Sequence, residues 1–415
     1  MLKYSPIRAA DLRAYSRLAT DATIAVTDLL ENMHHNISRL PGVLGTASEE
    51  PARGITGFVY RSVRGVTRQV GSSIDFVLQK VTPTELPAGV SRQREILVSA
   101  LNGVIGDYLA QTGSPLQIKM SLRREGIPLV IDRESLQQAI PEASGKILVL
   151  AHGLCMGDLQ WNRQGHDHGQ SLSQDAGYTP VYLHYNSGLH VSTNGQEFSA
   201  LLEQLLRAWP VPVEQVSIIG YSMGGLIARS ACEHARRSKF TWLKSLRELV
   251  FIGTPHYGSP LERNGNRLDA VLGASPYTAA LSRLGKVRSA GITDLRHANL
   301  DDADWQDRDR FKSHARNHEV LPLPRGVRCY AIAGSVSKKA GSLGERLAGD
   351  GLVPVHSALG MHRNLKKNLG LPESRRWIGY RTNHLGLLNS QDAYARIREW
   401  LQTDSSRRRN PAKTA

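Results

Sequence analysis

Ser222 stands between glycines where an apolar run gives way to a helical pattern. The residues read Gly220-Tyr221-Ser222-Met223-Gly224, a G-x-S-x-G pattern with the strand-like SIIG before it and the helix-like MGGLIARSACEHARRS after it. A serine at so sharp a turn takes a strained backbone conformation, and glycines on both sides leave room for that turn. The turn lifts the hydroxyl above the sheet and points a helix N-terminus at it, which favours developing negative charge. We therefore predict that Ser222 is a nucleophile.

A nucleophilic serine needs a base, and the base needs an acid that orients it. In folds that place a nucleophilic serine at such a strand-to-helix turn, the chain order is serine, acid, histidine, and each residue follows a later strand. Asp350 in GDGLVPVHS follows the strand-like run CYAIAGS, and His384 in RTNHLGLLN comes just before the final amphipathic helix. We predict the catalytic set Ser222, Asp350 and His384. Other aspartates could serve as the acid, namely Asp301, Asp302, Asp304 and Asp307. Their segment is polar and has no strand pattern, which favours a solvated surface position for them.

Two backbone amides are candidates for an oxyanion hole. His152-Gly153 ends the run KILVLAHG, so the amide of Leu154 can join that of Met223, the residue after the nucleophile. The alternative is that His152-Gly153 only ends a strand.

Strands alternating with helices must position these residues. From about residue 114 a leading hairpin, LQIKMSL and IPLVI, is followed by the runs KILVLAHG, PVYLHYN, VSIIGYS, ELVFIGT and CYAIAGS. Short buried runs of this kind predict an α/β fold over 114–402, with a mostly parallel sheet covered by helices on both faces. The segment STNGQEFSALLEQLLRAW predicts a helix with a Ser/Thr cap at its start.

Two regions lie outside this alternation. The insertion at about 259–325 is far longer than one crossover needs, and we expect a helical lid over the carboxyl ends of the strands. The pattern of residues 1–113 predicts a helical region in three pieces, the third at about 93–111. We expect these helices to pack on the main domain or on each other; the alternative is that they dock on a membrane surface. Residues 403–415 predict a disordered basic tail.

Composition narrows the function class. The formal net charge is +15, and the excess of basic residues lies in short C-terminal clusters that indicate a solvated face or, alternatively, contact with anionic lipid. Aromatic residues make up only 6% of the chain, and no nucleic-acid module is recognised. Three widely spaced cysteines without a CxxC pair indicate neither a disulfide framework nor a zinc site. With no signal-peptide or membrane-span pattern, we expect a cytoplasmic protein, with peripheral membrane contact left open.

Five motifs in the order HGL, GYSMGG, GTPHYGS, GDGLVP and NHLG resemble the α/β-hydrolase lipases and esterases, including bacterial triacylglycerol lipases and the inositol-deacylases that act on glycosylphosphatidylinositol. The resemblance covers about 145–402 and implies an α/β-hydrolase fold. It also implies a serine carboxylic ester hydrolase without a cofactor, in which Ser222 attacks, His384 acts as base and then acid, and Asp350 holds the imidazolium. No catalytic role is assigned to His256, for which a structural role is expected.

Two departures limit what the resemblance carries over. Secreted bacterial lipases with similar motifs have a calcium-ligating Asp two residues after the catalytic histidine, where this chain has Gly386, so no metal is expected. Those lipases also have a disulfide near the acid loop, whereas the only nearby cysteine here is Cys329.

Three hypotheses follow. The first is hydrolysis of a small-molecule or lipid carboxylic ester through an acyl-enzyme. The second keeps the same triad and passes the acyl group to an alcohol or thiol. The third is a membrane-associated scaffold that uses the basic face and the N-terminal helices. The motifs do not distinguish hydrolysis from acyl transfer, and they do not indicate acyl chain length or oligomeric state.

Overall fold

The computed structural model describes residues 92–258, 289–306, 320–338 and 349–408. The chain divides into two compact units, one of residues 1–91 with 113–116 and one of residues 92–112 with 117–415. Most of the predicted N-terminal helical region, much of the predicted lid and the last residues of the predicted basic tail lie outside the described residues.

The part of the chain that the structure describes forms one mixed sheet of eight strands. They are β1 (Ser121–Arg124), β2 (Ile127–Pro128), β3 (Lys146–Ala151), β4 (Thr179–His184), β5 (Gln215–Tyr221), β6 (Leu246–Ile252), β7 (Arg328–Ser335) and β8 (Arg376–Tyr380). Their order in the sheet is β2-β1-β4-β3-β5-β6-β7-β8. The pairs β1–β2 and β1–β4 are antiparallel, and every other neighbouring pair is parallel. The predicted mostly parallel sheet is therefore confirmed.

Helices connect the parallel strands. In the described residues they are α1 (Arg92–Gln111), α2 (Arg133–Ala139), α3 (His168–Ala176), α4 (Val191–Ala208), α5 (Met223–Ser238), α6 (Ala290–His297), α7 (Val355–Ala358) and α8 (Gln391–Arg408). The third predicted N-terminal helix is present as α1, with an irregular turn at Ile105. No described helix is long and apolar enough to cross a membrane.

The core lies between the sheet and its helices. Strand residues alternate between the two faces of the sheet, and on one face Leu148, Ile219 and Val250 join Leu172 of α3 and Trp400 of α8 in a buried cluster. The alternate strand residues are also fully buried, and α5 packs against β5, β3 and β6. This two-sided burial explains why the central strands read as continuous apolar runs.

Three local expectations need correction. The hairpin is shorter than predicted: β1 begins only at Ser121 and runs to Arg124, the tight turn is formed by Glu125 and Gly126, both with positive φ, and β2 ends at Pro128. The strand β8 was not predicted, since it is only partly buried and lacks an apolar run. The Ser/Thr cap of α4 is wrong: the helix begins at Val191, whose amide donates to the Asp294 carboxylate of α6 at 2.8 Å.

Candidate active site

Ser222 lies at the junction of β5 and α5. Its backbone has φ 52° and ψ −119°, a region that non-glycine residues rarely adopt, and its amide donates to the Ile252 carbonyl at 2.8 Å. The turn is so tight that a Cβ on Gly220 would lie 2.5 Å from the Cα of Gly225, and one on Gly224 would lie 2.2 Å from a backbone oxygen. The glycines around Ser222 therefore allow the strand and the helix to approach each other.

His384 and Asp350 form a buried pair. The Nδ1 of His384 lies 2.6 Å from Oδ2 of Asp350, and the His384 amide donates to the Asp350 carbonyl at 3.0 Å. The other carboxylate oxygen accepts from the amides of Leu352 and Val353 at 3.0 and 2.8 Å. A carboxylate at Nδ1 places the imidazole hydrogen there, which leaves Nε2 able to accept a proton.

The other candidate aspartates have different partners. Asp301 pairs with Arg237, and Asp302 accepts from the Gln196 side chain. Asp304 accepts from two backbone amides, those of Leu300 and Asp301. Asp307 lies outside the described residues. Of the described candidates, Asp350 is thus the one that contacts His384.

Contacts around Tyr221 bring His384 beside the serine turn. The Tyr221 and His384 rings are 4.9 Å apart between centroids, and the Tyr221 hydroxyl donates to the His384 carbonyl at 3.1 Å. Gly253, with φ 58°, follows β6, and a Cβ there would lie 3.0 Å from Cε1 of His384. The structure therefore brings Ser222, Asp350 and His384 to the carboxyl end of neighbouring strands.

The loop after β3 passes directly beside Ser222. A Cβ on Gly153 would lie 3.2 Å from the Ser222 Cβ. The His152 ring stacks on Tyr185 with centroids 4.1 Å apart, the Tyr185 hydroxyl donates to the His152 carbonyl at 2.6 Å, and Nδ1 of His152 bonds the Gly153 carbonyl at 2.8 Å. Burial lowers the pKa of His152 to about 3, so the ring is neutral at physiological pH. These contacts fix the loop that leads into Leu154.

Met223 directly follows Ser222 and is the first residue of α5. The first amides of a helix have no partner within the helix. Gly291 of α6 packs here, because a Cβ on it would lie 3.0 Å from the Met223 side chain. A described part of the predicted lid therefore contacts the residue after Ser222.

Several contributors were not predicted. Tyr221, Tyr185 and Gly253 fix the positions of the candidate residues, and only the place of Tyr221 inside the G-x-S-x-G pattern could have drawn attention to it. The three cysteines, including Cys155 beside the loop after β3, are buried and unpaired. His256 lies away from this site and contacts Arg229 at 3.2 Å.

Residues 143–321 match the family described as the PGAP1-like alpha/beta domain. The described domain has the α/β-hydrolase fold. The matched segment of this hydrolase fold contains β3 to β6, the loop after β3 and the turn at Ser222, while Asp350 and His384 lie beyond it.

Solved structures similar to the chain are lipases and esterases by their names. The mature lipase BlEst2 of Bacillus licheniformis is 18% identical, covers 61% of this chain and 91% of its own, and has a TM-score of 0.41. The esterase Pf2001 of Pyrococcus furiosus is 15% identical, with coverage of 63% and 83% and a TM-score of 0.37. The phospholipase PlaB of Legionella pneumophila is 15% identical, with coverage of 51% and 44% and a TM-score of 0.31. A comparison with curated proteins found no match.

Proposed function

We propose that this protein is a serine hydrolase that cleaves carboxylic esters through an acyl-enzyme. The observation that carries the proposal is the buried His384–Asp350 pair at 2.6 Å, placed beside a serine with positive φ at a strand-to-helix turn. The names of the similar structures include lipases, esterases and a phospholipase, which agrees with an acyl ester or lipid substrate.

Each residue has a role in the proposed reaction. Nε2 of His384 removes the Ser222 hydroxyl proton as the oxygen attacks the ester carbonyl, and the tetrahedral oxyanion accepts hydrogen bonds from the amides of Leu154 and Met223. The imidazolium, held by Asp350, then protonates the departing alcohol. Water activated by His384 attacks the acyl-enzyme in the second half, which releases the acid and restores Ser222.

Two structural features support this chemistry. The neutral His152 ring adds no charge of its own beside the proposed oxyanion site. The contact of Gly291 with Met223 supports a lid formed by the insertion at about 259–325, which would exclude water during reaction.

A panel of p-nitrophenyl esters of rising acyl length tests the proposal. We expect saturable hydrolysis by the wild type, and a loss of about 10⁴-fold to 10⁶-fold in kcat for Ser222→Ala and for His384→Ala. Circular dichroism should show both variants folded. Adding an alcohol acceptor and analysing the products distinguishes hydrolysis from acyl transfer. Wild-type-like turnover in either folded variant would remove that residue from the mechanism.

A further inference from the structure

A cavity of about 1000 Å³ lies beside α5, and its lining, as far as the structure describes it, includes none of Ser222, Asp350 and His384. Several basic side chains line it, among them Arg229 of α5, His256 after β6, Arg325 before β7 and Lys367 after α7. The volume is that of a small-molecule site. The hydrogen bonds and charges of these side chains indicate the chemical class of the ligand.

Arg229 is a buried cation without a carboxylate among the described residues. Its side chain is only 2% exposed. One terminal nitrogen donates to the Leu321 carbonyl, the other donates to Nδ1 of His256 at 3.2 Å, and Nε has no hydrogen-bond partner. Burial lowers the pKa of Arg229 only to about 10, so the guanidinium stays charged at neutral pH. A buried charge is costly unless an anion faces it, and the described residues supply none, so an anionic ligand would fill that position.

His256 supplies a second buried donor. Arginine can only donate, so Nδ1 of His256 accepts from Arg229 and the ring hydrogen lies on Nε2. Burial, together with the Arg229 charge, lowers the pKa of His256 well below its usual value, so the ring remains neutral. Nε2 has no partner, and the residue is 3% exposed. Arg229 and His256 both line the cavity, and each has one buried N–H without a partner among the described residues.

The carboxylates of the cavity wall do not neutralise Arg229. Glu233 pairs with both Arg236 and Arg237 at 2.7 Å, and Asp301 also pairs with Arg237. Asp304, as described above, accepts from backbone amides. Arg325 is exposed and adds a further positive charge to the lining.

We propose that this cavity binds the phosphate group of an organic phosphate. The charged guanidinium of Arg229, with the neutral His256 ring against it, attracts the phosphate oxygens, and Arg325 adds attraction from an exposed position. A guanidinium matches the geometry of phosphate oxygens and cannot lose its charge at neutral pH. The cavity volume leaves room for the organic group that carries the phosphate. The ligand is a free phosphate ester or a phospholipid headgroup, and its binding does not require the triad.

Calorimetric titration of the full chain with glycerol 3-phosphate and with inorganic phosphate, at constant ionic strength, tests this proposal. We expect saturable binding of one phosphate per chain. Arg229→Gln should weaken it at least about tenfold, because hydrogen bonds to charged groups are the stronger class. Arg325→Gln should weaken it about threefold, as loss of an exposed charge does. Arg396→Gln, which removes an exposed arginine of α8 outside the cavity, is the matched control and should bind like wild type.

Two further arms make the result decisive. Ser222→Ala should bind phosphate like wild type, so failure of the esterase proposal and failure of the phosphate site are distinguishable. The second arm measures binding of the protein to vesicles of phosphatidylcholine with and without phosphatidylglycerol. Binding that glycerol 3-phosphate reverses identifies a phospholipid headgroup as the ligand. If the protein does not bind the vesicles, the ligand is a free phosphate ester. If Arg229→Gln does not fold, the phosphate affinity of the exposed Arg325→Gln variant, compared with that of Arg396→Gln, tests the site. Absence of saturable binding to wild type, or equal affinities for Arg325→Gln and Arg396→Gln, would overturn the proposal.

Discussion

At the scale of single residues, the Asp350 carboxylate is held from two sides. One oxygen faces Nδ1 of His384, and the other accepts from the amides of Leu352 and Val353. The hydrogen bonds from these two amides prevent the carboxylate from rotating away. The imidazole therefore keeps the orientation and the tautomer that leave Nε2 free to accept a proton. This arrangement explains why an aspartate between two glycines, both with positive φ, suits the position.

Asp350→Asn tests this arrangement. The asparagine NH₂ can donate to Nδ1 and stabilise the wrong tautomer of His384, so kcat should fall about 10⁴-fold while the protein stays folded. The matched control is Asp302→Asn, which alters an aspartate of the insertion that bonds the Gln196 side chain. Ester hydrolysis assays should show wild-type-like turnover for this control. A severe effect of Asp302→Asn with a mild effect of Asp350→Asn would move the acid to the insertion.

At the scale of elements, loops that follow neighbouring parallel strands assemble the site. Ser222 follows β5, Gly253 follows β6, Asp350 comes after β7 and His384 follows β8. Carboxyl ends of parallel strands meet at one edge of a sheet, which is why residues distant in sequence lie together. Gly253 shows how closely these loops pack, since its missing side chain leaves space for the His384 ring.

Gly253→Ala tests this packing against a matched control. Gly253 and Gly177 both have positive φ, so alanine should cost about 1 kcal/mol of backbone strain at either position. A Cβ at 253 would lie 3.0 Å from His384, whereas one at 177 would meet nothing within 4 Å. We expect kcat to fall up to about 10²-fold for Gly253→Ala, by displacement of the imidazole, and to stay unchanged for Gly177→Ala. Equal turnover of the two variants in the ester assay would refute the contact.

The sequence was most informative where strands are buried on both faces. The runs that became β3 to β7 are continuous and apolar, and the helix after Ser222 begins and ends where its pattern predicts. Partly exposed β8 gave no such pattern. The start of α4 was mispredicted because its first amide, that of Val191, is capped by Asp294 from a helix distant in sequence, which local sequence does not reveal. The Arg229–His256 contact joins two motifs whose proximity depends on the folded sheet.

At the scale of the whole molecule, several histidines are buried as neutral rings. Burial lowers the pKa of His152 to about 3 and that of His168 to about 4. In the unfolded chain a histidine titrates near pH 6.5, so between about pH 6.5 and 4 the unfolded state binds more protons. The free energy of unfolding must therefore fall as pH falls through this window, while above it these two groups have no effect.

Urea unfolding measured across this pH range tests the whole-molecule account. Each buried histidine should contribute a slope of about 1.4 kcal/mol per pH unit. His168→Gln removes one of these histidines and keeps a donor for the Leu387 carbonyl. The slope of the unfolding free energy against pH should therefore decrease by about 1.4 kcal/mol per pH unit, the contribution of one proton. An unchanged slope in the folded variant would show that His168 is not a buried neutral ring.

The most direct test of the proposed mechanism is the site of covalent labelling by a fluorophosphonate, read by mass spectrometry of peptides. We expect one adduct, on Ser222, that is absent in Ser222→Ala and forms far more slowly in His384→Ala. An adduct on another serine, or none on the folded wild-type protein, would contradict it.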